Sequence, residues 1–99
     1  MISFAKYSVN GAISSAEQRG DPYAAIAISE EHGRFVKGVN IALRIGDLER
    51  ANRLYERAIQ KAERTGDFSR CAEIARIAEK PEMAELFSKI AEFRNGKRI

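Results

Sequence analysis

Ninety-nine residues make one domain's worth of chain, enough for a single thin core. The composition, 44% hydrophobic and 31% charged, is that of a folded globule, and a net charge of +3 is milder than the concentrated basic charge of most nucleic-acid-binding domains. No apolar run approaches the roughly 18 residues of a membrane span, and Met1-Ile2-Ser3-Phe4-Ala5-Lys6 lacks the pattern of a secretory signal, so a cytoplasmic location is expected.

In chain order, Ala5, Val9, Ala12 and Ala16 keep a helical period. They predict one helix from about Ser3 to Gln18, bent or interrupted at Asn10-Gly11. Pro22 to His32 is apolar nearly all round, which predicts a short, central, buried helix ended by Gly33. From Arg34 to Ile45, Phe35, Val36, Val39, Ala42 and Leu43 form a buried side. Lys37, Asn40, Ile41 and Arg44 form the opposite side. Leu48 to Arg64 has the clearest pattern: Leu48, Ala51, Leu54, Tyr55, Ala58, Ile59 and Ala62 are spaced by threes and fours, with polar residues elsewhere. Phe68 to about Lys80 turns Cys71, Ala72, Ile74, Ala75 and Ala78 inward. Pro81 either ends that helix or opens the next. The last helix, about Glu82 to Phe93, carries Met83, Leu86, Phe87, Ile90 and Ala91.

Strand signals are absent. The expectation is an all-α fold of about six short antiparallel helices stacked as hairpins, in one domain over residues 1–94, with residues 95–99 a frayed tail. The lone cysteine, Cys71, cannot form an internal disulfide and reads as a small buried hydrophobe.

One dipeptide punctuates the chain, at Gly20-Asp21, Gly46-Asp47 and Gly66-Asp67. Glycine supplies the left-handed conformation after a last helical turn. Aspartate then caps the next helix by accepting from its free amides. Arg19, Arg44 and Arg64 lie just upstream, at the negative end of the helix dipole. Arg19-Gly20-Asp21 also spells a cell-attachment tripeptide, but with Pro22 following it reads as a helix junction.

The segment from Gly46-Asp47-Leu48 through Ala51, Tyr55 and Ala58 resembles the turn and second helix of a tetratricopeptide repeat. The resemblance covers about residues 33–64 and implies helical hairpins. Small residues there let helices approach, and the aromatic fills the gap between hairpins. Leu48 stands where that family usually has an aromatic. The Gly-Asp dipeptides, at 20, 46 and 66, recur at intervals shorter than the family's thirty-four residues, as short hairpins with tight turns would produce.

No phosphate loop, nucleophile elbow or paired catalytic carboxylate motif is present, so no enzyme and no cofactor are expected. His32 follows Glu30 and Glu31, but three consecutive helical donors point apart and cannot close around a metal. Two surfaces remain. Lys37, Asn40, Ile41 and Arg44 are the candidate partner-binding face. In the resembled family such first-helix residues line a groove for extended peptides, which implies an acidic peptide partner. Arg50, Arg53, Arg57, Lys61 and Arg64 form a basic stripe that could track a phosphate backbone, though no aromatic is interleaved for base stacking. Its plainer reading is a solvated face paired with neighbouring helices. The expected function is a non-catalytic protein–protein interaction module or scaffold, self-associating through the apolar last helix. A nucleic-acid accessory role is the alternative, and no membrane partner is expected.

Overall fold

A computed structural model describes residues 8–96. It contains six helices: α1 (Val9–Gln18), α2 (Pro22–Glu31), α3 (Phe35–Arg44), α4 (Leu48–Arg64), α5 (Phe68–Ile77) and α6 (Pro81–Gly96). The described residues contain no strand. The all-α expectation holds. The first helix starts later than the sequence suggests. Ser8 caps it, its hydroxyl accepting from the amide of Gly11, and the helix runs unbroken through Asn10-Gly11. The turns expected before that point, and residues 97–99 of the tail expected at 95–99, lie outside the described residues, while residues 95 and 96 continue α6.

All five junctions are the same three-residue turn. At the first, Gly20 N–H donates to the Glu17 carbonyl (2.9 Å) and Asp21 N–H to the Ala16 carbonyl (3.0 Å). This double bond pattern satisfies the carbonyls that a helix end leaves unpaired. Gly33/Arg34, Gly46/Asp47, Gly66/Asp67 and Glu79/Lys80 repeat it. The pivot residue is left-handed each time, and at the fifth junction that residue is Glu79, at φ 63°. Asp21, Asp47 and Asp67 then accept from the amides of Ala24, Arg50 and Arg70 at 3.1, 3.1 and 3.0 Å. Each aspartate thus closes one helix with its backbone and opens the next with its side chain.

Identical turns between equal helices make a regular array. The helices begin at residues 9, 22, 35, 48, 68 and 81, a step of 13 residues broken once by 20, because α4 is 17 residues long where its neighbours have ten. The short Gly-Asp spacings are therefore two such steps and one lengthened step. The fourth residue of every helix is small: Ala12, Ala25, Gly38, Ala51, Cys71 and Ala84. Small residues at that level let successive helices approach closely. At Gly38 a Cβ would stand 2.9 Å from Leu54 Cδ1.

Helices pack in chain order, α1 on α2 through α5 on α6, and α3 also touches α5. The result is long and thin, 53 × 33 × 16 Å, with a radius of gyration of 15.6 Å against about 13 Å for a compact chain of this length. The core runs along it from Ile13 through Ile26, Val39, Ile41 and Leu54 to Ile74 and Phe87. Tyr55 is buried with Ala51 and Ala58, as the hairpin pattern requires. The second helix is less central than its composition suggests. Ala25, Ile26 and Ser29 are buried, but Tyr23 is 54% exposed. Cys71 is fully buried.

Candidate partner-binding surface

α3 is held on three sides, by α2, α4 and α5, so only a narrow strip of it reaches solvent. Lys37, Asn40 and Arg44 lie on that strip. Ile41 does not: it is 1% exposed and belongs to the core. The sequence expectation that Ile41 offers an apolar anchor is corrected here. A helix packed against a single partner would leave that position open, whereas the additional contacts of a stacked array cover it. Lys37, Asn40, Leu43 and Arg44 line a shallow depression of about 430 Å³, closed on the far side by Ile77 and Glu79 at the end of α5.

The two cations of the strip share one carboxylate. Glu17, near the end of α1, accepts from Arg44 at 2.9 Å and lies 4.0 Å from Lys37. Both cations remain substantially exposed, at 41% and 62% of their side chains.

The basic stripe of α4 is organised in the same way one layer over. Glu30 of α2 accepts from Arg53 through Oε1 (3.0 Å) and from Arg57 through Oε2 (2.8 Å). Arg50 pairs with Asp47 at 2.8 Å and lies over the Tyr23 ring. Arg57 and Lys61 lie over Phe35, and Lys61 also donates to the Gly33 carbonyl. Arg64 alone of the stripe has no partner among the described residues. The first hairpin, α1 with α2, is thus stitched to the second, α3 with α4, by two glutamates that each bridge two cations.

An open cavity of about 460 Å³ lies where the start of α3, the end of α4 and the start of α5 meet. It gathers Arg34, Lys37, Lys61 and Arg70 over an apolar floor that includes Ala58 and Ile74. Nothing in the sequence joined these residues, because the turns bring them together from three helices.

The titratable groups that are perturbed are structural. The amide of Arg50 donating to Asp47 lowers that carboxyl below its usual range, with the Arg50 guanidinium adding to the effect. Burial pushes the Tyr55 hydroxyl and the Cys71 thiol up. Burial therefore keeps Cys71 a thiol near neutral pH, a poor nucleophile. His32 is the exposed cap residue at the end of α2. No group of three His, Cys, Asp or Glu side chains among the described residues could hold a metal, and no helix among them is long and apolar enough to cross a membrane.

Comparison with protein families, with curated proteins and with solved structures returns no match. The helical-hairpin architecture stands on the structure itself.

Proposed function

We propose that the protein is a non-catalytic interaction module, a small scaffold of tetratricopeptide-like hairpins that holds an acidic protein segment along α3 and associates with itself through α6. The observation that carries the first part is the line Lys37–Asn40–Arg44 beside the depression shared with α5. Two exposed cations flanking an amide suit an extended acidic peptide. The cations meet its carboxylates, and Asn40 can both donate to and accept from its backbone. Glu17 already shows what chemistry the pair accepts, since one carboxylate engages both cations. A buried free thiol fits a cytoplasmic setting.

The nucleic-acid reading ranks second. Arg53 and Arg57 are engaged by Glu30, and Arg57 also by the Phe35 ring, so a phosphate would have to displace those contacts first.

A fluorescent glutamate-rich peptide with a free carboxyl terminus, a DNA duplex and a short RNA, each titrated at two salt concentrations, separate the two. The peptide is expected to bind the native protein and to lose at least tenfold in Lys37→Ala/Arg44→Ala, but not in Arg53→Ala/Arg57→Ala. Glu17→Gln is the control: it removes the same ion pairs while keeping the cations, so it should leave peptide binding equal or tighter. Equal loss in Glu17→Gln would mean that the effect runs through the fold. Nucleic-acid binding that falls steeply with salt and vanishes only in the Arg53/Arg57 variant would replace this proposal with the second reading.

A further inference from the structure

Of the six exposed large apolar side chains among the described residues, three (Met83, Leu86 and Phe93) are on α6 and none is on α1. The two ends of the stack therefore differ. α6 turns Ala84 and Phe87 onto α5 and carries a second apolar strip along its outer side. Met83, Leu86, Ile90 and Phe93 follow one another at steps of three, four and three, the seam spacing of a helix that packs against another helix. Ile90 is half-buried and joins this strip to the core. α6 is the last helix among the described residues, and where a layer facing water presents polar residues, its outer side presents an apolar seam.

The charges beside the seam indicate what covers it. Glu82 and Lys89 lie seven residues apart on the same edge, so the edge is acidic early in the helix and basic later. Lys89 is 70% exposed, and its only partner among the described residues is Glu85, at 3.8 Å. In a parallel two-fold copy the Glu82–Lys89 edges of the two helices would lie on opposite sides of the seam and never meet. An antiparallel copy brings the Glu82 edge of each helix toward the Lys89 edge of the other and opposes the two helix dipoles.

We infer that the protein forms a two-fold dimer in which the outer seams of two α6 helices pack antiparallel. Leu86 lies near the axis, and Glu82 of each copy pairs with Lys89 of the other. This rests on the self-association part of the function proposed above and specifies its partner and geometry.

The test uses the full chain in sedimentation velocity over a concentration series, with circular dichroism as the check on folding. The native protein is expected to be a dimer at micromolar concentration. Leu86→Glu and, independently, Met83→Ser should each raise the dimer dissociation constant at least tenfold with unchanged helicity. Glu82→Lys and Lys89→Glu should each weaken the dimer several-fold, and the double exchange should restore it, since the swapped edges are again complementary when antiparallel. A monomer at high micromolar concentration overturns both this inference and the self-association reading. A dimer that survives Leu86→Glu and Met83→Ser, including one that dissolves only when residues 1–7 are deleted, leaves self-association standing and overturns the α6 assignment. A seam-dependent dimer that the double exchange fails to restore overturns the antiparallel pairing.

Discussion

The residues that turn the chain differ in how plainly their chemistry is written. Gly20-Asp21, Gly46-Asp47 and Gly66-Asp67 are legible because glycine and aspartate each do something few other residues do, one adopting positive φ and the other capping with a short carboxylate. Gly33-Arg34 and Glu79-Lys80 make the same turn without a capping aspartate, so in the sequence only Gly33 marks the first and Pro81 the second. Glu79 is the informative case. It holds φ 63°, where the four equivalent positions carry glycine at 72–78°. A left-handed conformation costs a non-glycine residue about 1–2 kcal/mol, partly offset because glycine leaves the unfolded chain more freedom. Glu79→Gly should therefore stabilise the fold by about 0.5–1 kcal/mol, read as a higher melting temperature. A lower one would mean that the Glu79 side chain contributes to the depression it borders. Ile41 shows the opposite limit. Its place beside polar neighbours on the helical wheel suggested exposure, and only the packing of α3 against three helices buries it.

At the level of the helix, amphipathic faces were readable where one side is plainly polar, as in α4, and misleading where a helix is short and small-residue rich, as in α2. The 13-residue step is hidden in the sequence for a related reason. What recurs at the fourth position is size, not identity: alanine, glycine or cysteine. The cross-layer bridges were equally hidden, because Glu17 and Glu30 reach arginines 27 residues away on other helices, beyond any local pattern. Gly38 tests the close approach that the small residues permit. Alanine there would gain about 1 kcal/mol of helix propensity. Its Cβ, however, would stand 2.9 Å from a methyl of Leu54, which is fully buried, with Ser29 Cβ 3.6 Å away. Overpacking of this kind costs about 1–3 kcal/mol, so Gly38→Ala should destabilise the protein by about 1 kcal/mol net. Adding Leu54→Val, which shortens the obstructing side chain, should cost less than the sum of the two single changes. Strict additivity in chemical denaturation would show that the two helices have room to spare.

The molecule as a whole behaves as a one-dimensional stack, because contacts join neighbouring helices and the single longer-range pair, among those with more than marginal contact, is α3 with α5. In such an array stability is a sum over layers and interfaces, and the layers with neighbours on both sides are the last to open. α3 and α5 are the best held, each packed on three helices, and α4 supplies six buried residues to the core. α1 and α6 are each held by one neighbour: α1 packs on α2 and buries Ile13 and Ala16, α6 packs on α5 and buries Ala84 and Phe87, and α1 has a further tie in the Glu17 bridge to Lys37 and Arg44. Native-state amide exchange should therefore be fastest in α1 and slowest in α3, α4 and α5, and if α6 is covered by a second copy its exchange should rise toward that of α1 on dilution. Exposed ion pairs are worth at most about 1 kcal/mol, so Glu17→Gln should speed exchange in α1 by up to about fivefold and leave α3 and α4 as they were. High salt should do the same to the native protein by screening the bridge. Uniform protection across all six helices would mean that the chain opens as one cooperative unit. The groove on α3 would then be coupled to the docking of α1, and variants of Lys37 and Arg44 would report folding and binding together.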